Sequence, residues 1–303
     1  MTHTQNRILL LFLTPALLMI FVFTVIPSAW AIYISFTDLA LAGPKALDYT
    51  FTGLKNYTKL FGDRNFLHSL SLSIQYTIYT NIGQFTLGMI AALILHRRKL
   101  WGQGVLLAVI VLPMVIPGIT QALIWSSMLG AKEFGTLNRL VGLFGVEPIL
   151  WTRTYPMLSI VLVNFWNNSG FAMILFLAGL ESIPKEIIES ATIDGANGWQ
   201  RFRNVTLPMV SPVILFNFIT GIIGSFQVFT PAYIISNGEG GPAYASMFYV
   251  LYLYLNAFRR YRFGYASAQA WLLFIVILVL TILALRASRA AVYYESPGDD
   301  KTV

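Results

Sequence analysis

Asn164, Trp166, Asn167, Asn168 and Ser169 stand together in a stretch of sequence that holds no ionisable side chain. Asn164 and Asn168 are four residues apart, so on a helix they share one face. Gln121 and Trp125 repeat that spacing, and Ser225 and Gln227 flank Phe226 with Phe229 close behind. A carboxamide both donates and accepts hydrogen bonds, and an aromatic face packs on apolar C–H groups. Amides set beside aromatics therefore suit sugar hydroxyls and ring C–H patches. The competing reading is that these amides glue helices together. Gln75, Asn81 and Gln84 read more simply as such packing contacts.

The elements that must position these residues are apolar helices. Of 303 residues, 56% are apolar and only 11% charged, with a mean hydropathy of +0.67. A soluble domain carries about 25% charged residues, so a soluble enzyme, a disordered chain and a nucleic-acid-binding domain are excluded. The net charge of +7 is ordinary for a protein with many short loops between spans. There is no Cys, which removes disulfides and thiolate metal sites. Six runs, 8–36, 70–95, 104–128, 157–180, 209–235 and 263–285, contain no Asp, Glu, Lys, Arg or His. Each exceeds the roughly 20 residues that a span requires, and backbone groups in lipid must be satisfied within the segment. The expectation is an all-α membrane protein with six transmembrane helices. The first run is too long for the h-region of a signal peptide and reads as a retained helix, bent at Pro15 and Pro27. Residues 243–258 are apolar and Tyr-rich, which suits an interfacial helix or a minor seventh crossing.

Orientation is not decided by counting. With the N-terminus inside, ten Lys and Arg fall on each side. The inner set is Arg7, Arg97, Arg98, Lys99, Lys185, Arg201, Arg203, Arg286, Arg289 and Lys301; the outer set is Lys45, Lys55, Lys59, Arg64, Lys132, Arg139, Arg153, Arg259, Arg260 and Arg262. The dense run Arg97-Arg98-Lys99 leans towards cytoplasmic N- and C-termini. Ion-coupled carriers place titrating groups inside the membrane, and none of the 13 acidic residues lies in a run. No G-x-x-x-x-G-K-[ST] is present to cradle ATP. The energy source is expected in another chain.

Residues 181–208 carry the remaining chemistry. Ser182, Pro184 and Glu186 supply helix-start signals, with Ile183, Ile187, Ile188 and Ala191 at helical spacing. Asp194-Gly195 stops that helix, Gly195 taking the left-handed position after its end. A second short helix, with Trp199, Phe202 and Val205 three apart, ends at Leu207-Pro208. Such a hairpin either docks in a partner's groove or lies on lipid headgroups.

Glu189-Ser190-Ala191, then Gly195, then Val205-Thr206-Leu207-Pro208 resembles the EAA loop of ABC importer membrane subunits, E-A-A-x3-G-x9-I-x-L-P, with Asp194 before the glycine as is usual there. Ser190 for Ala and Val205 for Ile are the two departures. Phe51-Thr52-Gly53-Leu54-Lys55-Asn56-Tyr57 with Leu60-Phe61, Gly240-Gly241-Pro242, and Phe263-Gly264-Tyr265-Ala266-Ser267-Ala268 resemble three further motifs of the carbohydrate-type permeases. The likeness extends over almost the whole chain and is to the sugar and glycerol-3-phosphate permeases related to the maltose transporter's larger membrane subunit.

That resemblance implies a type I ABC importer transmembrane domain spanning 1–303, with 181–208 as a cytoplasmic coupling loop. It implies a second homologous permease subunit, two ATP-binding subunits that hold ATP and Mg, and an extracytoplasmic solute-binding protein, with no cofactor and no catalysis in this chain. Glu189, Ala191, Asp194, Gly195, Leu207 and Pro208 would form the coupling element. Glu189 would pair with an arginine of the ATPase subunit or stand as a solvated charge. The resemblance places solute contacts on the face shared by Asn164 and Asn168 and around Ser225. Residues 50–64 and 237–242 are candidate contacts for the binding protein, or ordinary connecting loops. A carbohydrate is the expected solute, with glycerol-3-phosphate or a glycerophosphodiester as the alternative. An ion-coupled secondary carrier would leave the hairpin without a role.

Overall fold

The structure is a computed structural model that describes residues 3–44, 46–97, 101–130 and 135–288, with side chains from residue 11 onward and excluding that of Arg97. Lys45, Arg98, Lys99, Lys132, Arg289 and Lys301, all part of the charge comparison, lie outside the described residues.

Among the described residues the chain is helical, with one isolated antiparallel bridge between Thr37 and Phe51. Five helices are long and apolar enough to cross a membrane: Leu11–Ser35, Arg64–His96, Pro156–Glu181, Ser211–Ile235 and Phe263–Ser288. The run 104–128 departs from the expected straight span. It forms two helices, Gln103–Val115 and Gly118–Met128, bent by 104°, and makes a sixth crossing only if the pair counts as one. Proline sterics account for the break. Pro117 drives the residue before it out of the helical region, so Ile116 is extended at φ −74° and ψ 131°. Pro113, one turn earlier, removes a donor from the same ladder.

Two other prolines are absorbed without a break. Five-residue π turns at Phe21–Val25 and Phe202–Thr206 each end two residues before a proline, Pro27 and Pro208. The Ile26 N–H reaches back to the Phe21 carbonyl, and the Leu207 N–H to that of Phe202. The wider turn loosens the ladder where the proline ring would meet the carbonyl four residues back. Pro208 therefore does not end its helix as the sequence suggested. The helical run continues to Met209, and the break falls at Val210.

Two compact units divide the chain: Met1–Leu67 with Tyr252–Val276, and His68–Leu251 with Ile277–Val303. In the first, the 51–57 motif ties off the end of the first crossing. The Asn56 amide donates to the Ser35 and Thr37 carbonyls at 2.9 and 2.7 Å, filling acceptors that a helix C-terminus leaves open. The Tyr57 and Ser35 hydroxyls are 2.8 Å apart. Gly264 sits so near the Thr37 carbonyl that a Cβ would lie 2.2 Å from its oxygen, and its N–H donates to Leu39 at 2.9 Å. The second unit packs around Ala92, Leu95, Ala172, Met173, Phe176, Leu180 and Val210, all nearly fully buried. The helices 64–97, 156–181 and 211–226 meet there.

Residues 243–258 are not among the helices long and apolar enough to cross a membrane. A 3-10 turn at Pro242–Tyr244 leads into a helix at Tyr249–Tyr254 and a π turn at Leu255–Arg259. Tyr249 and Tyr252 are 1% and 3% exposed. The Tyr249 N–H donates to Ser73 Oγ at 2.9 Å, and the Tyr252 hydroxyl to Asp63 at 2.6 Å. Each buried tyrosine is thus anchored by a polar partner inside the protein rather than by water at a membrane surface.

Candidate functional site

The helix Pro156–Glu181 carries Asn164 and Asn168 on one face, as their spacing requires. They line a cavity of about 210 Å³ with Gln84, Phe171, Asn217, Thr220 and Ser225. By liquid volume this is room for about seven waters at ~30 Å³ each, the size of one sugar ring. None of the described lining residues is charged. Two polar atoms at its wall are buried without a partner, the Asn164 Oδ1 acceptor and the Asn217 Nδ2 donor. An unpaired buried amide group costs roughly 1–3 kcal/mol, a cost these two side chains carry beside the cavity without opening onto it. Ser225 helps shape it: its hydroxyl donates to the Gly221 carbonyl and accepts from the Asn81 amide at 2.9 Å. Gln84 Nε2 reaches Asn81 Oδ1 at 3.3 Å. Asn81 is a packing contact, as read from sequence, whereas Gln84 also lines the cavity. Asn217, flanked by Phe216 and Phe218 but with no second amide four residues away, escaped the sequence reading.

The other amides do different work. Gln121 is 3% exposed, and its nitrogen donates to the Pro113 and Ile116 carbonyls at 2.6 and 2.8 Å and to Asn167 Oδ1 at 3.0 Å. The helix break leaves the Ile116 carbonyl open, while the Pro113 carbonyl also accepts the Ile116 N–H at 3.2 Å, so Gln121 splices the break and ties it to the helix Pro156–Glu181. Trp125 is buried edge-to-face against Trp166 at 6.1 Å, with its indole N–H unpaired. Gln227 is exposed at the C-terminal end of the helix Ser211–Phe226 and does not line the cavity.

The hairpin after Glu181 has a well-defined turn. Ser182 closes the preceding helix through its hydroxyl to the Gly179 carbonyl at 2.8 Å, and Pro184 is the extended N-cap of the helix Lys185–Ile193. Ser182 therefore ends one helix instead of starting the next. Gly195 has φ +81°, its N–H bonds the Thr192 carbonyl, and the Ala196 N–H bonds that of Ala191, the paired closure of a Schellman end. Asn197 and Gln200 form a capping box for the helix Gly198–Arg201. Arg201 Nη1 donates to Thr192 Oγ1 at 2.7 Å and links the two arms. Ile183 packs on the core cluster, whereas Ile193 and Trp199 are 86% and 66% exposed. Beneath the hairpin is a larger recess of about 730 Å³, whose wall includes His96, Lys185, Glu189 and Arg201. Asp194 caps the turn, while Leu207 and Pro208 follow the π turn.

In the first unit, Asp63 is the junction of the 50–64 segment. Its Oδ2 accepts from the hydroxyls of Tyr252 and Tyr265 at 2.6 and 2.7 Å, and its Oδ1 from the N–H groups of Asn65 and Phe66 at 2.9 and 3.3 Å. Burial alone would raise this carboxyl, but the hydrogen bonds from Tyr252, Tyr265, Phe66 and Asn65 outweigh it and hold its pKa below the ordinary value. Lys59 lies 5.2 Å over the Tyr265 ring and Arg260 5.5 Å over that of Tyr252.

Uncharged polar walls buried among apolar crossings are the makings of a membrane permease. The chain belongs to the family of binding-protein-dependent transport system inner membrane components, whose model matches residues 84–292. It is 35% identical to the probable ABC transporter permease protein YesP of Bacillus subtilis, covering 94% of this chain and 91% of that one. It is 31% identical to the trehalose/maltose transport system permease protein MalF of Thermococcus litoralis, covering 95% of each. Among solved structures, a chain of a bacterial alginate ABC transporter, crystallised with its alginate-bound periplasmic protein, aligns with a TM-score of 0.81 at 19% identity over 95% of this chain and 96% of that one. The fold is that of type I ABC importer permeases, and the protein is an inner membrane component of such a system.

Proposed function

We propose that this chain, acting from 1 to 303 as one permease domain, forms half of the path by which a carbohydrate is imported at the expense of ATP hydrolysed elsewhere. The observation that carries the solute assignment is the cavity lined by uncharged amides and hydroxyls, Gln84, Asn164, Asn168, Asn217, Thr220 and Ser225. Amides and hydroxyls each donate and accept, as sugar hydroxyls do. A phosphate or phosphodiester would meet no cation there, which disfavours the glycerol-3-phosphate reading. The names of relatives that carry trehalose, maltose, lactose and starch products support the same class.

The hairpin 185–209 is the coupling element, seated in a cleft of a cytoplasmic ATPase subunit. Its exposed Ile193 and Trp199 give it an apolar tip, and Glu189 supplies a charge for a basic partner residue. Closure of the ATPase pair would draw this hairpin towards that of a second permease subunit and switch the crossings between two packings. In this arrangement the hairpin side and both termini are cytoplasmic, and the far side receives the solute-binding protein. The test is ATP hydrolysis by the reconstituted complex, with its binding protein, against neutral oligosaccharides and glycerophosphodiesters. Stimulation by a neutral sugar is expected; stimulation by phosphodiesters alone, or uptake driven by an ion gradient, would overturn the reading.

A further inference from the structure

At the N-terminal end of the helix Pro156–Glu181, about 39 Å along its axis from the hairpin end at 1.5 Å per residue, lies a second pocket. It has a volume of about 320 Å³ and is walled by Thr152 and Arg153 on one side and by Ser236, Asn237, Gly241 and Ser246 on the other. Both walls are fixed by unusual local structure. On the first, Asn138, 3% exposed, accepts from the Ile149 N–H at 3.0 Å and the Trp151 indole at 2.8 Å, and donates to the Ile149 carbonyl at 2.9 Å. That staple sets the single turn Trp151–Thr154 from which Arg153 projects. On the second, Asn237, Gly238, Gly240, Gly241, Ala243 and Tyr244 all have positive φ, between 51° and 78°. Gly238 N–H to the Tyr233 carbonyl at 2.7 Å, Gly240 N–H to Ser236 Oγ at 3.1 Å and Ser246 N–H to the Gly240 carbonyl at 2.7 Å hold the loop shut on itself. Non-glycine residues in this region are strained and persist where the surroundings demand the shape.

Arg153 is exposed, is the one charge among the described lining residues, and has no acidic partner among them. Gly241 lines the same pocket, and its N–H has no acceptor among the described residues. A guanidinium fork beside a free N–H and hydroxyls fits a carboxylate. We propose that this pocket receives an acidic side chain of the docking solute-binding protein. The carboxylate is assigned to the protein and not to the solute because the cavity around Asn164 holds no cation, so an anionic solute leaving Arg153 would have no counter-charge further along. This proposal rests on the importer reading above, and deepens it by naming one residue and one chemistry for the docking.

The experiment is a titration of binding protein into the reconstituted transporter carrying Arg153→Gln, Arg153→Lys or no substitution, read as ATP hydrolysis at low and high salt. The expected result for Arg153→Gln is an increase of about tenfold in the half-saturating binding-protein concentration, the loss of one charge-assisted hydrogen bond. Its maximal rate should be unchanged and its salt dependence flatter than that of the parent. Arg153→Lys should recover part of the loss. Half-saturation and salt dependence equal to the parent would overturn the proposal. So would a defect confined to acidic oligosaccharides with neutral ones unaffected, which would move the carboxylate to the solute. Absence of any binding-protein stimulation in the unsubstituted complex would instead refute the importer reading.

Discussion

Gln121 donates to Asn167 across 46 residues of sequence while its nitrogen also serves the Pro113 and Ile116 carbonyls. One amide thereby caps the end of a broken helix and fixes that break to the crossing that carries the cavity residues. Gln121→Leu keeps the volume but takes this donor from the Ile116 carbonyl and from Asn167 Oδ1, at roughly 1–3 kcal/mol for each buried group left unpaired. The expected outcome is a lower thermal midpoint of the purified complex, measured in detergent, with loss of transport following loss of stability.

Asn164 predicts a different pattern. Its Oδ1 has no partner to lose, although its side chain also meets the buried Tyr76 hydroxyl, so Asn164→Leu should lower the thermal midpoint less than Gln121→Leu while weakening solute-stimulated ATP hydrolysis. A fall in the midpoint as large as that of Gln121→Leu would show that the amide holds helices together. Asn217→Leu, on the facing wall, should behave alike.

Gly195 isolates backbone from packing. Nothing lies within 4 Å of a Cβ built there, so a substitution is opposed by its φ of +81° and not by contact. Gly195→Val should abolish solute-stimulated ATP hydrolysis while the chain still inserts, because a β-branched residue resists the left-handed region. Gly195→Asn, which tolerates that region, should retain most of the activity. Equal activity in both variants would remove the turn from the coupling element.

Asp63 gives a pH dependence with a definite sign. Its folded pKa is depressed, so the stabilisation it supplies is complete above the unfolded value of about 3.9 and is lost as pH falls through the lower folded value. Thermal midpoints recorded from neutral to strongly acidic pH should fall more shallowly in Asp63→Asn than in the parent at the acid end. The two proteins should differ most near neutrality.

The crossings and the hairpin turn were legible because their signals are local. Charge-free length marks a span, and Asp-Gly after a helical pattern marks a left-handed end, so five of the runs and the Gly195 turn stand where they were expected. The break at Ile116 was missed although Pro113 and Pro117 are plain in the sequence. A search for charge-free length weighs side chains and is blind to the backbone donors that proline removes. The burial of Tyr249 and Tyr252 was illegible for a different reason. It depends on Ser73 and Asp63, whose partners lie 176 and 189 residues away. Gln121 and Asn164 look equivalent in sequence as amides on apolar helices. Which of them is spoken for depends on where a carbonyl has been set free.

The bent pair also bears on how the chain is made. The helix Gln103–Val115 is about 20 Å long at 1.5 Å per residue, against a hydrocarbon core of about 30 Å. On leaving the ribosome it is too short to settle across the bilayer unaided, and the open Ile116 carbonyl at its end finds its donor in Gln121 only once the following helix has emerged. Asn167 is synthesised later still. Membrane integration of this segment must therefore wait for sequence downstream of it, and a nascent chain halted between Gln121 and Asn167 should remain beside the translocon.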